Sequence, residues 1–470
     1  MNKNITSIHD NNTEYSTRCT EGDGQNVFLS DQIDLIIEKF AGKRISGLDI
    51  GNGSVFILDD SNTTSQNTLT VFKVSDEPSN MQRLYTDNVM GYVGVKKKKR
   101  EQLLRIYSRF DHHDKDYFLH YMLQRSFFCN LYQDLYFTSD NMGALDLLQL
   151  VFPSHLKQAY QQGIFRKYRT FQHNDSQLKG NIDVQRHILH NIPFQGKIAY
   201  TTREFSRNNE VIQLIRHTIE FMSRHELGRS ILRNDTDTLE AVNCVKQYTP
   251  DYSPSDRAAI IRKNQKSVYH PFYTKYRPLQ ELCLRILRYE KMSYSSTGKS
   301  EIYGILYDGS LLWENYLATV LSPTFTHHTN SNSYFLFRDE KRKNEKEKDF
   351  QKIIPDYLGS NENGETIVAD AKYIRMEDYR NFTADRAMPI YYKTLMYMLR
   401  FKAKTGFLFY PSRSEDNFHP LEIIDTECKL TLLGLQIPEY KNGTTYAEFC
   451  KNMKESEIKF KEKIADLLNK

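Results

Sequence analysis

The stretch from Ile353 to Tyr373, IIPDYLGSNENGETIVADAKY, limits what this 470-residue chain can fold into more than any other part of it. Two apolar runs, IIPDYL and ETIVADAKY, flank a turn rich in Gly, Ser and Asn, which is the pattern of two antiparallel strands joined by a tight loop. If Glu362, Asn363 and Gly364 form a three-residue loop with Gly364 left-handed, Asn361 pairs with Glu365 and Asp356 falls directly opposite Asp370. A two-residue Asn-Gly loop shifts that pairing by one position. Strand side chains alternate, so Asp370 and Lys372 share one face while Ala371 points to the other.

Two carboxylates and an ammonium on one face are what metal-assisted phosphodiester cleavage uses. Carboxylate oxygens hold Mg²⁺, and a lysine beside them activates water or stabilises the pentacoordinate phosphate. Asp and Lys at i, i+2 are also common on exposed sheets, and D-x-K alone is a weak signal. Pro355-Asp356 at a strand, a hairpin of suitable length and the apolar run carrying Asp370 strengthen it, and together they resemble the PD-(D/E)xK nuclease signature. On this reading Asp356 and Asp370 hold Mg²⁺, the Ala371 carbonyl is a further ligand, and Lys372 positions or deprotonates the attacking water.

Composition sets wide bounds. The length suits about three domains, and the net charge of +5 permits nucleic-acid contact without requiring it. The six cysteines stand far apart without a C-x-x-C pair, so neither a zinc site nor a disulfide framework is indicated. No signal-peptide core and no apolar run of transmembrane length occur, and the expectation is a soluble, cytoplasmic protein with no membrane partner.

Along the chain, residues 1–25 are polar and aperiodic and read as a mobile tail. A helix, SDQIDLIIEKFAGKR, then LDIGNGSVFIL and LTVFKVSD predict a β-rich N-terminal module over 26–105. Lys96, Lys97, Lys98, Lys99 and Arg100 form a basic run that fits DNA or an acidic partner, and equally a strand edge blunted by lysines. Residues 106–299 read as a mainly helical middle domain, with Pro153 interrupting one helix. In it, Arg186, His187, His190, Arg203, Arg207, Arg216 and His217 suit either a phosphate-binding groove or a solvated scaffold. SSTGKS at 295–300 imitates a phosphate-binding loop, but the required first glycine is Ser293. A nuclease domain is expected over 300–430, followed by a C-terminal strand and helix over 431–470. Glu314, in the helix DGSLLWENYLATVL, flanks its apolar side and is a fourth candidate catalytic residue; the same position suits a boundary glutamate reaching solvent. Pro389 is expected to open a helix that ends at Gly406. The fold class is thus multi-domain α/β: a β-rich N-terminal module, a helical middle and a C-terminal mixed sheet flanked by helices.

The run Leu178-Lys179-Gly180-Asn181-Ile182-Asp183, the strand KIAYTTREF, the helix EVIQLIRHTIEFM and the earlier IYSRFD and FLHYML resemble the McrC family of modification-dependent restriction systems. Asn181 and Gln213 depart from the family's usual Arg and Asn, and Lys393 stands where a Y-Q-x-x-x-Y helix has glutamine. The resemblance implies a Mg²⁺-dependent DNA endonuclease subunit working with a McrB-like hexameric AAA+ GTPase motor on double-stranded, methylated DNA. On the family's pattern Lys393 is a candidate DNA or partner contact. A competing expectation is a regulatory subunit that docks on the motor and stimulates it, with a weak or silent nuclease core.

Overall fold

The computed structural model describes residues 2–11, 15–18, 27–44, 54–58, 70–77, 81–97, 100–111, 116–126, 144–233, 235–292, 301–328, 333–339, 349–376, 380, 382–414, 417–440 and 443–468. The acidic-polar loop at 59–69, the SSTGKS segment and the charged excursion at 340–348 lie outside them. Contacts divide the chain into two units: Met1–Phe128 with Gln133–Leu147 and Ser296–Lys470, and Cys129–Tyr132 with Leu148–Ser295.

The first unit holds two larger sheets. One has five strands in the order Asn2–His9, Arg100–Tyr107, Val89–Lys97, Glu301–Asp308, Ser54–Leu58. The amphipathic helix Ser30–Phe40 presents Ile33, Ile36 and Phe40 to it, and these pack with Val93, Val95, Leu104 and Ile106 as one core. Two sequence expectations change here. The N-terminus is not a free tail, because Asn2–His9 pairs in parallel with Arg100–Tyr107 and Ile8 is fully buried. Only Ile5 and Ile8 are apolar in that strand, so no alternation marks it; pairing creates it. Nor does the N-terminal sheet close by residue 105. Glu301–Asp308, some 200 residues later, runs antiparallel to Val89–Lys97 inside it.

The other large sheet has six strands in the order Phe325–His327, Tyr357–Ser360, Thr366–Ala371, Thr405–Ser412, Lys429–Gln436, Phe418–Glu422. Its centre is parallel and both edges are antiparallel. The central strand Thr405–Ser412 is buried almost throughout, as a strand covered on both faces must be. The sheet extends past residue 430, and the terminal helix Tyr446–Leu468 packs on it through Phe460 against Phe409. Helix Gly309–Leu321 packs on helix Tyr117–Ser126, with Phe118 against Trp313 and Tyr316, so residues 117–126 belong with this unit rather than with the middle of the chain.

The second unit combines helices with a small antiparallel sheet of Lys167–Asp175, Ile198–Ser206 and Asn181–Ile182. Helix Ala144–Gln161 runs through Pro153 without a break. The ring removes one backbone hydrogen bond, and the burial of Val151, Phe152 and Leu156 around it holds the turn. The segments that carry the family resemblance have structural roles here. Asp183 caps helix Val184–Asn191, Asn209 caps helix Glu210–Met222, and Gln213 donates to Asp251 and Asn208. The basic stretch is engaged internally: Arg186 pairs with Asp183, Arg216 with Glu220, and Arg203 and Arg207 lie over the rings of Tyr168 and Tyr248.

Candidate active site

The hairpin adopts the three-residue loop. Asn361 N–H donates to the Glu365 carbonyl and Gly364 sits at φ +77°, the left-handed position a side chain would disfavour. Asn361 Oδ1 receives the N–H groups of Asn363 and Glu365, which pins the turn. Tyr357 is thereby opposite Ala369, and Asp356, one residue earlier, lies level with Asp370. The two carboxylates are linked through the backbone: Ala371 N–H donates to Asp356 Oδ2 at 2.8 Å.

Asp370 is fully buried, and neither of its carboxylate oxygens receives a hydrogen bond. What reaches it is cationic charge. Lys372 Nζ pairs with Oδ2, and Lys393 Nζ lies 3.4 Å from Oδ1 and 3.7 Å from Asp356 Oδ1. Asp356 is nearly buried too. Its carboxyl is pushed well above the ordinary range, first by burial and then by the charges of Asp370 and Glu314, with Lys393 and Lys372 opposing. For Lys393 the attraction of Asp370 and Asp356 outweighs the opposing burial and holds the ammonium charged.

Glu314 sits on the neighbouring helix, where Leu312, Trp313, Tyr316 and Leu317 form the buried stripe and Glu314 its half-buried border. Its Oε1 is 2.8 Å from His327 Nε2, so it is paired beside the acids, close enough to act on Asp356 by charge. Tyr357 OH donates to the Glu314 carbonyl at 2.5 Å and ties that helix to the hairpin.

Lys393 arrives by a route the sequence does not write plainly. The helix begins at Ala384, not at Pro389, and Met388–Tyr392 widens into a π turn before helix Lys393–Phe401. Lys393 and Tyr397, one turn apart, then face the acids together, with Nζ 5.5 Å over the tyrosine ring. Tyr397 OH donates to the Ile354 carbonyl at 2.8 Å, just ahead of Asp356. The helix ends at Phe401 with Lys402 in the left-handed conformation. Gly406 does not end it but serves packing instead. A Cβ there would stand 2.4 Å from Met398 Sδ, so the bare glycine lets helix and central strand touch.

Behind the site strand, Tyr373 OH bonds Ser108 Oγ at 2.6 Å, and Arg109 lies over its ring. The IYSRFD segment is therefore the packing support of the strand that carries Asp370. The basic run is elsewhere in the unit: Lys97 pairs with Glu38 and Arg100 with Asp34, both on the N-terminal helix. Of Lys96 the structure describes only the backbone, which pairs with Glu101 and Glu301, and Lys98 and Lys99 lie outside the described residues. Sequence reading singled out the two acids, Lys372 and Glu314. It missed His327, whose signal is only a histidine ending a short strand, and the i, i+4 partnership of Lys393 with Tyr397.

The donor set fits a hard divalent cation. Among the described residues Asp370's oxygens meet only ammonium charge, which a cation can replace, and Asp356 lies beside it, one residue beyond the Tyr357–Ala369 pair. Among the described residues no three His, Cys, Asp or Glu side chains enclose an ion by themselves.

The site thus joins a mixed sheet carrying Asp370 to Asp356, Lys372 and the helix-borne Lys393. The family described as McrBC 5-methylcytosine restriction system component matches residues 85–411, well over half of the chain, and the chain belongs to that family. Among solved structures it is similar to a chain of the refined half-complex from the tetradecameric assembly of Thermococcus gammatolerans McrB AAA+ hexamers with bound McrC, at 16% identity and TM-score 0.44, over 96% of this chain and 99% of that one. It is also similar to a chain of the cryo-EM structure of the Thermococcus gammatolerans McrBC complex, at 15% identity and TM-score 0.31, over 69% and 88%. No curated protein matches the chain. No helix among the described residues is long and apolar enough to cross a membrane.

Proposed function

We propose that this chain is the McrC-type nuclease subunit of its restriction system, a Mg²⁺-dependent DNA endonuclease with a PD-(D/E)xK core that cuts when assembled with a McrB-like AAA+ GTPase. The observation that carries this reading is the level pairing of Asp356 with the buried, hydrogen-bond-free Asp370, flanked by Lys372. Membership of the McrBC restriction family supports the restriction role, and with the McrC-like segments around Leu178–Asp183 it supports the motor partner.

In this mechanism Asp356, Asp370 and the Ala371 carbonyl would hold a Mg²⁺ ion, which when bound would supply a water of lowered pKa and a counter-charge to the phosphate. Lys372, beside Asp370, orients the attacking water and offsets charge on the scissile phosphate. Glu314, held by His327, adds to the negative field around Asp356. The Asp356–Ala371 N–H bond keeps the acids level while the ion is bound.

The test is cleavage of methylated duplex DNA by the purified chain with its motor and GTP, with and without Mg²⁺. Asp370→Ala and Lys372→Ala should each lower cleavage by about a hundredfold or more with folding intact. Full activity in either variant removes the reading. If neither variant loses cleavage while reversing the charge of Lys97 and Arg100 abolishes stimulation of the motor's GTPase, the chain is a regulatory subunit instead.

A further inference from the structure

The acids carry their own cations before any ion arrives. Lys372 Nζ pairs with Asp370, and Lys393 Nζ reaches both Asp370 and Asp356, so two ammoniums already stand against the acids. The two lysines are not equivalent. Lys372 is on the strand itself, with its N–H bonded to the Phe409 carbonyl at 2.8 Å and its side chain largely enclosed at 15% exposure. Lys393 comes from a helix across the site, is 41% exposed, and touches one oxygen of each acid. Its ammonium lies within 4 Å of both carboxylates, so a cation taken up by these acids would meet it there. Its flexible stem and open side give it somewhere to go.

We propose that Lys393 is a resident counter-ion that a divalent cation displaces, so that metal loading at this centre is an exchange of cations rather than the filling of an empty cage. The inference rests on the proposed nuclease reading and deepens it. The charge balance supports it. A divalent ion added with Lys393 in place would set four positive charges against at most three carboxylates, Asp356, Asp370 and Glu314, whereas moving the ammonium outward relieves that excess. Lys393 thus holds the buried Asp370 in check while the site is idle and sets how much metal is needed to load it. Tyr397, fixed to the Ile354 carbonyl, supplies the ring over which the stem lies.

The experiment uses the full-length chain and Mn²⁺ as probe, titrated calorimetrically and by the loss of free-ion EPR signal, with no DNA and no turnover. Lys393→Gln removes the competing charge and should tighten Mn²⁺ binding on the order of tenfold, discounted for the partial exposure of the ammonium. Lys393→Arg keeps the charge and should bind as weakly as the natural chain. Asp370→Asn should abolish the site in either background. In EDTA, Lys393→Gln should melt earlier than the natural chain, and Mn²⁺ should raise its Tm by more. Equal or weaker Mn²⁺ affinity in folded Lys393→Gln overturns the exchange while leaving the nuclease reading intact. Absence of any Asp370-dependent Mn²⁺ binding, in the natural chain and in Lys393→Gln alike, overturns both.

Discussion

The two large sheets of the first unit both bury charge, and they treat it in opposite ways. Beside the N-terminal sheet the buried acids Asp10, Asp111 and Asp116 are met by fixed donors. Asp10 accepts from the Arg109 N–H at 2.6 Å and from its guanidinium at 2.7 Å. Asp116 is gripped by Arg105 and by Tyr92 OH at 2.5 Å, and Asp111 accepts the N–H groups of Phe118 and Leu119 together with Tyr440 OH. In the six-stranded sheet Asp370 is equally buried yet has only lysine ammoniums beside it among the described residues. A guanidinium fork matches a carboxylate in a fixed geometry and is hard to replace, while an ammonium is a point charge on a flexible stem. The first arrangement locks a structure. The second leaves carboxylate oxygens available to an incoming ion.

That contrast breaks most readily under substitution. Asp10→Ala leaves Arg109 buried without its partner and should cost about 3–5 kcal/mol in chemical denaturation of the first unit. Asp370→Asn, at the same depth, should cost less than Asp10→Ala in EDTA, because Lys372 and Lys393, which lose its charge, are 15% and 41% exposed and can turn to solvent, whereas Arg109 is 3% exposed. A loss at Asp370 as large as that at Asp10 would make both clusters structural.

A buried histidine whose burial outweighs the nearby acids Asp256 and Glu220 sharpens the comparison in the second unit. His217 lies against Tyr252 with neither ring nitrogen hydrogen-bonded, and burial, with Arg257 adding to it, lowers it from 6.5 to about 4. A folded value below the unfolded one means its stability contribution is complete above pH 6.5 and is lost as pH falls toward 4. The melting of the second unit should weaken by up to about 3 kcal/mol across that window. His217→Phe should flatten the dependence; an unchanged slope would mean that His217 is not its source.

The smallest effect concerns the helix that delivers Lys393. Gly406→Ala drives a methyl into Met398 and should cost about 1–2 kcal/mol in Tm-based comparison, with the helix displaced from the strand. Because Lys393 rides on that helix, Mn²⁺ affinity should shift as well. An unchanged Tm would show that the contact relaxes freely.

Local chemistry made much of the site legible. Asn361, Gly364 and the alternation in TIVADA point to the turn and to the shared face of Asp370 and Lys372 and narrow the register to two, of which the fold takes the three-residue loop, since turn type and strand period are short-range properties. The helix Glu210–Met222 follows from its 3.6-residue period in the same way. Less of the strand inventory could be read. Asn2–His9 carries too few apolar residues to announce a strand, and Glu301–Asp308 joins a sheet whose neighbours lie some two hundred residues earlier. Pairings at such separations leave no periodic trace in either segment.

The hairpin, the level acids and the lysine two residues on could thus be read from the linear chain, because each depends on neighbours within one turn of it. Lys372 came with that pattern and Lys393 was a candidate by resemblance, but how Lys393 and Glu314 are placed around the acids was assigned by the folded molecule. Lys393 reaches both acids through a widened helical turn and a glycine contact with the central strand, and Glu314 is claimed by His327 from another strand. Which cation stands beside a buried carboxylate is set by packing between distant segments, and packing is what a linear pattern does not contain.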